Sequence, residues 1–358
     1  MVRWRSGVVV SVGRSWTGAC ELTVEIDGSG EVRALAYPAL VGRPEEGDRV
    51  LLNTGALELG LGTGGYALVV ALPDRLPPDP PGAPGHLVKA RYTPLQTTVL
   101  GTDEQDSVHH AALRDADDLG GLPVVIADLH SALPAVLAGL RATTPQARAV
   151  YVMTDGGALP MWFSRTVAGL RDAGWLAGTV TVGQAFGGDA EAVTLHTGLL
   201  AARHVLGAEV AVVSQGPGNL GTGTRWGFSG VACGEAVNAA AVLGGRPVAS
   251  LRISAADPRP RHRGVSHHSL TAYGTVALAQ ADVVVPELPG PFGQTVRAQA
   301  AGLTRHRIVR VAVDGLLDAL QTVPVALATM GRRLDEDTEY FIAAAAAGRH
   351  AATLLADG

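Results

Sequence analysis

The sequence predicts an α/β protein: a small N-terminal β barrel or sandwich, followed by a mostly parallel, doubly wound sheet with helices on both faces. Three observations predict it. Short alternating patterns broken by tight turns run up to Leu72, a proline-rich stretch covers 73–85, and strand-length apolar runs then alternate with helical stretches. The expected organisation is a β module over 1–72, a linker over 73–85 and an α/β domain over 86–358.

In the first module Gly7-Val8-Val9-Val10-Ser11-Val12 and Glu21-Leu22-Thr23-Val24-Glu25-Ile26 read as strands, and the Asp27-Gly28 that follows is a hairpin signal. Residues 32–37, 48–52 and 66–72 complete the set. The turn Gly47-Asp48-Arg49-Val50 is similar to that of biotinyl-type modules but lacks their lysine. The glycines of 59–66 read as hairpin turn chemistry or as an interdomain ligand lid. In the proline-rich stretch, each proline removes an amide donor and fixes φ, so neither a helix nor an interior strand forms.

Beyond the linker, residues 123–127, 149–153, 178–182, 209–213, 247–253, 282–285 and 307–311 read as strands. Most run without polar alternation, as strands covered on both faces do. Expected helices include 132–141, 162–173, 190–206, 231–243 and 266–280, and an Ala-rich helix over 335–356 is expected to dock by its Tyr340, Phe341 and Leu354 side.

Composition narrows function. The 358 residues are 47% hydrophobic and 17% charged, which suits two buried cores and a cytoplasmic homo-oligomer. A net charge of −5 without long charged runs argues against nucleic acid or membrane as partner, and no apolar window of about 18 residues or signal-peptide core is found. Cys20 and Cys233 are too few and too far apart for a disulfide framework or structural zinc. Lys89 is the sole lysine and is followed by Ala90, so a phosphate-binding P-loop is excluded, and biotin, lipoyl or pyridoxal phosphate attachment is not expected.

In an open α/β sheet ligands bind beyond the carboxyl ends of the strands. The loop 213–224 carries Gly216, Gly218 and Gly221 in Gly-x-Gly-x-x-Gly spacing with Ser214, Asn219 and Thr222, and its amides are expected to cradle an anion. Residues 222–230 delay the following helix and no acid ends the next strand, so a dinucleotide fingerprint is disfavoured, and a purely structural turn stays open. In 254–268, Arg259, Arg261 and Arg263 suit a phosphate or carboxylate. Ser266 as N-cap places His267 and His268 in a first helical turn as neutral bases or ligands, and a solvated loop is the alternative.

Asp128 and Asp155 each follow a strand. Asp128, Asp155, His267 and His268 are therefore the candidate catalytic residues, and Asp128, His130 and Asp155 the candidate ligands of a divalent metal, although strand-end acids also cap helices. The same caution covers Asp103, Glu104 and Asp106 beside His109 and His110, and His196 and His204 on a helix. Gly227-Phe228-Ser229-Gly230-Val231 lacks the second glycine of a nucleophile elbow, which disfavours a serine hydrolase.

Residues 48–66, Lys89-Ala90-Arg91-Tyr92-Thr93-Pro94-Leu95-Gln96, 261–269 and Thr329-Met330-Gly331-Arg332 resemble the bacterial domain-of-unknown-function 3866 family, across nearly the whole chain. The resemblance implies an architecture and carries no activity. From the residues, the expectation is an enzyme binding a small phosphorylated or carboxylated anion; the alternatives are a noncatalytic nucleotide or metabolite sensor and an assembly protein.

Overall fold

The computed structural model describes residues 2–61, 64–79, 82 and 84–356. Parts of the expected lid (Gly62, Thr63) and linker (Pro80, Pro81, Ala83) lie outside the described residues. The chain divides into two compact units, Met1–Val99 with Trp162–Ala168, and Leu100–Met161 with Gly169–Gly358.

In the first unit, β1 (Trp4–Trp16), β2 (Ala19–Ile26), β3 (Gly30–Ala36), β4 (Arg49–Asn53) and β5 (Ala67–Ala71) close into a barrel in the order β1-β2-β3-β5-β4. With β3 parallel to β5 and β1 paired to both β2 and β4, the scheme is that of an OB-type barrel. Alternation fills it: Cys20, Leu22, Val24 and Ile26 point inward from β2 and meet Val9, Ala34, Val50, Leu52 and Val69. Gly7 is required where β1 crosses β2, because a Cβ there would lie 2.5 Å from the Glu25 carbonyl oxygen. A hairpin of β6 (Leu87–Lys89) and β7 (Thr97–Val99) ends this unit, in a segment that sequence alone assigns to the α/β domain.

The second unit is built on eight parallel strands. They are β8 (Pro123–Ile126), β9 (Ala149–Thr154), β10 (Gly178–Val182), β11 (Ala190–Ala192), β12 (Val210–Gln215), β13 (Arg246–Ser250), β16 (Asp282–Pro286) and β17 (Arg307–Val311). A two-stranded ladder, β14 (Ile253–Ser254) with β15 (Gly264–Val265), lies between β13 and β16 in sequence, and a hairpin of β18 (Ala328–Thr329) and β19 (Arg332–Arg333) precedes the last helix.

The sheet order is β11-β10-β9-β12-β8-β13-β16-β17. The chain leaves β8 for β9 on one side and leaves β12 for β13 on the other, so the carboxyl ends of the neighbouring strands β8 and β12 form a topological switch point. Helices Leu133–Thr143, Leu316–Gln321 and Thr338–Ala356 pack together over one face, and Leu195–His204 and Ala232–Val242 over the other. No helix among the described residues is long and apolar enough to cross a membrane.

Three local expectations are corrected. Residues 190–206 are not one helix: 190–192 pair with β10 as an edge strand, and Thr194 accepts a hydrogen bond from the Thr197 amide to start the helix afterwards. The run 247–253 breaks at Ser250, because Ile253 and Ser254 pair with β15 instead. The last helix is buried on nearly all sides rather than along the Tyr340, Phe341 and Leu354 side alone. Small residues permit this: a Cβ on Gly139 would lie 1.8 Å from the Ala345 carbonyl oxygen, and one on Gly348 the same distance from that of Val136.

Candidate functional site

The sheet delivers three side chains to the switch point. Asp128 follows β8, Gln215 ends β12, and Arg252 stands two residues past the end of β13. All three are buried. Gln215 Nε2 donates to the Asp128 carbonyl oxygen (2.7 Å) and to Asn219 Oδ1 (2.8 Å). The Arg252 backbone is held at both ends, its amide donating to Ser269 Oγ (2.9 Å) and its carbonyl accepting from the Ser266 amide (2.8 Å). Tyr273, on a π turn over Ala272–Val276, donates to the carbonyl of Ile126 at 2.8 Å and lies 3.2 Å from that of Ser250.

These groups satisfy one another only in part: Arg252 Nη1 lies 3.5 Å from His268 Nδ1. Arg252 Nη1 is 3.7 Å from Asp128 Oδ2 and Nη2 is 3.7 Å from Asp257 Oδ2, while His268 Nδ1 is 3.9 Å from Asp128 Oδ2. Asp128 Oδ2, Gln215 Oε1, Arg252 Nη2 and His267 Nε2 are buried without a hydrogen-bond partner among the described residues. Buried polar atoms are normally paired, so orphaned atoms on the neighbouring Asp128 and Arg252 mark a place where a ligand or water belongs. Asp128, Gln215 and Thr154 line a narrow crevice with Ser229 and Cys233. Burial pushes the Asp128 carboxyl above its ordinary range, against the pull of Arg252.

Beside Arg252 stand three imidazoles. The His262 ring centroid lies 4.9 Å from those of His267 and of His268, and those two are 4.4 Å apart. Burial, then the Arg252 charge, pushes His262 and His268 down to about 3, and burial with nearby arginines lowers His267, so all three are neutral at neutral pH. Each offers a nitrogen within 4.8 Å of the others, a grouping able to hold a metal ion. Phe228, from the glycine-rich loop, stacks on His268 at 3.8 Å.

The glycine-rich loop and the Arg/His segment thus leave the same rim of one parallel sheet and meet, but several expected roles shift. The metal set Asp128, His130 and Asp155 is not assembled. His130 is half-buried with Nδ1 3.0 Å from the Tyr151 hydroxyl, and Asp155 is exposed, its Oδ2 accepting from the Gln184 amide at 2.8 Å. Asp155 also does not join the catalytic set.

Three amides of the glycine-rich loop are engaged within the protein, those of Gly216, Leu220 and Thr222 donating to Thr154, Ser229 and Gly227. A Cβ on Gly216 would lie 2.5 Å from the Ala158 carbonyl oxygen, Gly218 takes a φ of 97°, and Gly221 bridges to Phe228. Ser214 turns inward to Tyr151 (3.1 Å), and Thr222 and Asn219 bond within the loop. Arg259 does not await an anion: it forks onto Asp257 at 2.9 and 2.8 Å. Arg261 and Arg263 are exposed.

The sequence reading passed over Arg252, His262 and Gln215 as site residues. The available signal was an arginine inside an apolar run expected to be a buried strand. Arg332, in the motif Thr329-Met330-Gly331-Arg332, reaches the same region: it donates to Asp337 (2.9 Å) and lies 3.4 Å from Asp257, while Thr329 Oγ1 accepts from Ser131 at 3.1 Å.

A search of curated proteins and a search of solved structures each found no match. A family profile does match, over residues 33–348, and so takes in the barrel from β3 onward, the crevice and the histidine cluster. The chain belongs to the family described as "Protein of unknown function (DUF3866)".

Proposed function

We propose that the protein is an enzyme acting on a small carboxylated or phosphorylated compound, gripped by Arg252 beside the crevice beyond β8 and β12, with Asp128 exchanging a proton with it. One observation carries this: Arg252 Nη2 is buried without a hydrogen-bond partner among the described residues, on a guanidinium whose Nη1 lies 3.7 Å from the equally unpartnered Asp128 Oδ2. A guanidinium keeps its charge, and burying one without a close counter-ion costs several kcal/mol. Asp257 and Asp337 are held by Arg259 and Arg332, and burial favours the neutral form of Asp128. Arg252 therefore lacks a full negative partner, and a carboxylate or phosphate fits its fork. A carboxyl whose proton is held more tightly than usual suits general acid chemistry near neutral pH. The site belongs in the cytoplasm on this proposal, supported by two buried cysteines that remain free thiols.

The test is thermal unfolding of the purified chain with inorganic phosphate and small mono- and dicarboxylates. A ligand at 100 times its dissociation constant adds roughly 2.7 kcal/mol. Arg252→Gln is expected to abolish the shift and the exposed Arg263→Gln to retain it. No shift across the panel, or an undiminished shift in Arg252→Gln, refutes the site. Turnover of the bound compound, lost in Asp128→Asn, separates an enzyme from a sensor.

A further inference from the structure

We propose that His262, His267 and His268 together bind one divalent transition-metal ion of the zinc or cobalt type. The donor set selects the class. Three imidazole nitrogens with no carboxylate among them are poor ligands for magnesium or calcium and good ones for zinc, cobalt, nickel or copper. Three protein ligands leave a four-coordinate ion one position for water or substrate, the arrangement of catalytic rather than structural zinc.

The rings are held in place before any ion arrives. His262 Nδ1 lies 2.7 Å from Ser266 Oγ, which leaves Nε2 of that ring for a metal. The same hydroxyl accepts from the His268 amide at 3.2 Å, so one serine ties the ring of His262 to the short helix His267–Thr271 that carries the other two. Phe228 fixes the plane of His268, its ring lying 3° from parallel. His267 Nε2 is buried and unpartnered, a nitrogen whose hydrogen-bonding capacity the protein leaves unused. Arg252 opposes a cation here, and the carboxylate of Asp257, 3.7 Å from its Nη2, offsets part of that charge.

This site goes beyond the anion proposal and does not depend on it. The test uses the full chain stripped with a chelator, titrated with Zn²⁺ against a chromogenic chelator and with Co²⁺ by visible absorption. One equivalent per chain is expected, with cobalt bands typical of four or five coordination. His262→Ala and His267→Gln are each expected to weaken uptake by at least about 100-fold, and the exposed His109→Ala to leave it unchanged; circular dichroism checks that each variant is folded. Absence of stoichiometric uptake by the unaltered chain overturns the proposal, as does uptake undiminished in folded His262 and His267 variants. The phosphate shift is read on the stripped protein, so failure of the metal site and failure of the anion site are separate results.

Discussion

Two Asp, His and Arg trios stand at opposite rims of the same sheet, and they are built differently. At the amino-terminal rim Asp282, the first residue of β16, accepts from His350 Nε2 at 2.8 Å and from Arg307 Nε at 2.6 Å, with Arg307 Nη2 also in contact. At the carboxyl rim Asp128 has His268 and Arg252 at 3.9 and 3.7 Å and keeps an orphaned oxygen. Burial pushes both carboxyls up. At Asp282 the hydrogen bonds from His350 and Arg307 overcome it and bring the group down to about 2, whereas at Asp128 burial wins. The same three residue types make a closed latch at one rim and an open gap at the other, and in a parallel sheet the open one stands where ligands bind.

The largest effect that separates the trios is expected at the latch. Asp282→Asn removes the charge that both partners converge on, and is expected to cost about 2 kcal/mol at pH 7, the size of its pKa displacement, read by urea unfolding. A similar loss is expected in the unaltered protein on acidification. The folded pKa of Asp282 lies below the unfolded value, so its contribution is complete above about pH 4 and fades as pH falls toward 2. In Asp282→Asn that part of the pH dependence is expected to vanish; if both proteins lose stability in parallel, the latch is not what acid opens. The smallest effect is expected at the gap, where burial already disfavours the charged form: Asp128→Asn should change stability by less than about 1 kcal/mol at pH 7. A cost there equal to that at Asp282 would make the two trios structural equals.

Much of the sheet was legible because doubly buried strands announce themselves as unbroken apolar runs. Pro123–Ile126, buried at all four residues, falls within its expected 123–127, and Gly178–Val182 and Arg307–Val311 match their expected bounds although neither is an unbroken apolar run. Residues 190–192 were illegible: Ala190-Glu191-Ala192 has no strand signature, and only pairing with β10 makes it one. The site divides in the same way. Asp128 and Asp155 carry one local signal, an acid just past a strand, and what distinguishes them is nonlocal: Arg252 and the histidines face the first, while the Gln184 amide occupies the second. The arginines of 259–263 were conspicuous, yet the buried Asp257 that claims Arg259 lies within the same loop, and whether such a pair closes on itself is a matter of backbone path rather than composition.

Tyr273 sets a limit on how this rim can vary. Its phenol touches the last turn of backbone on both β8 and β13, strands that are immediate neighbours in register, and Asp128 and Arg252 each depart two residues further on. The acid and the guanidinium are thus gauged by the sheet's own strand spacing of about 4.8 Å and a rigid aromatic crossbar, not by the excursion of 255–263. The exposed Arg261 and Arg263 of that excursion can change without resetting the width of the opening, whereas the buried Asp257, 3.7 Å from Arg252, cannot.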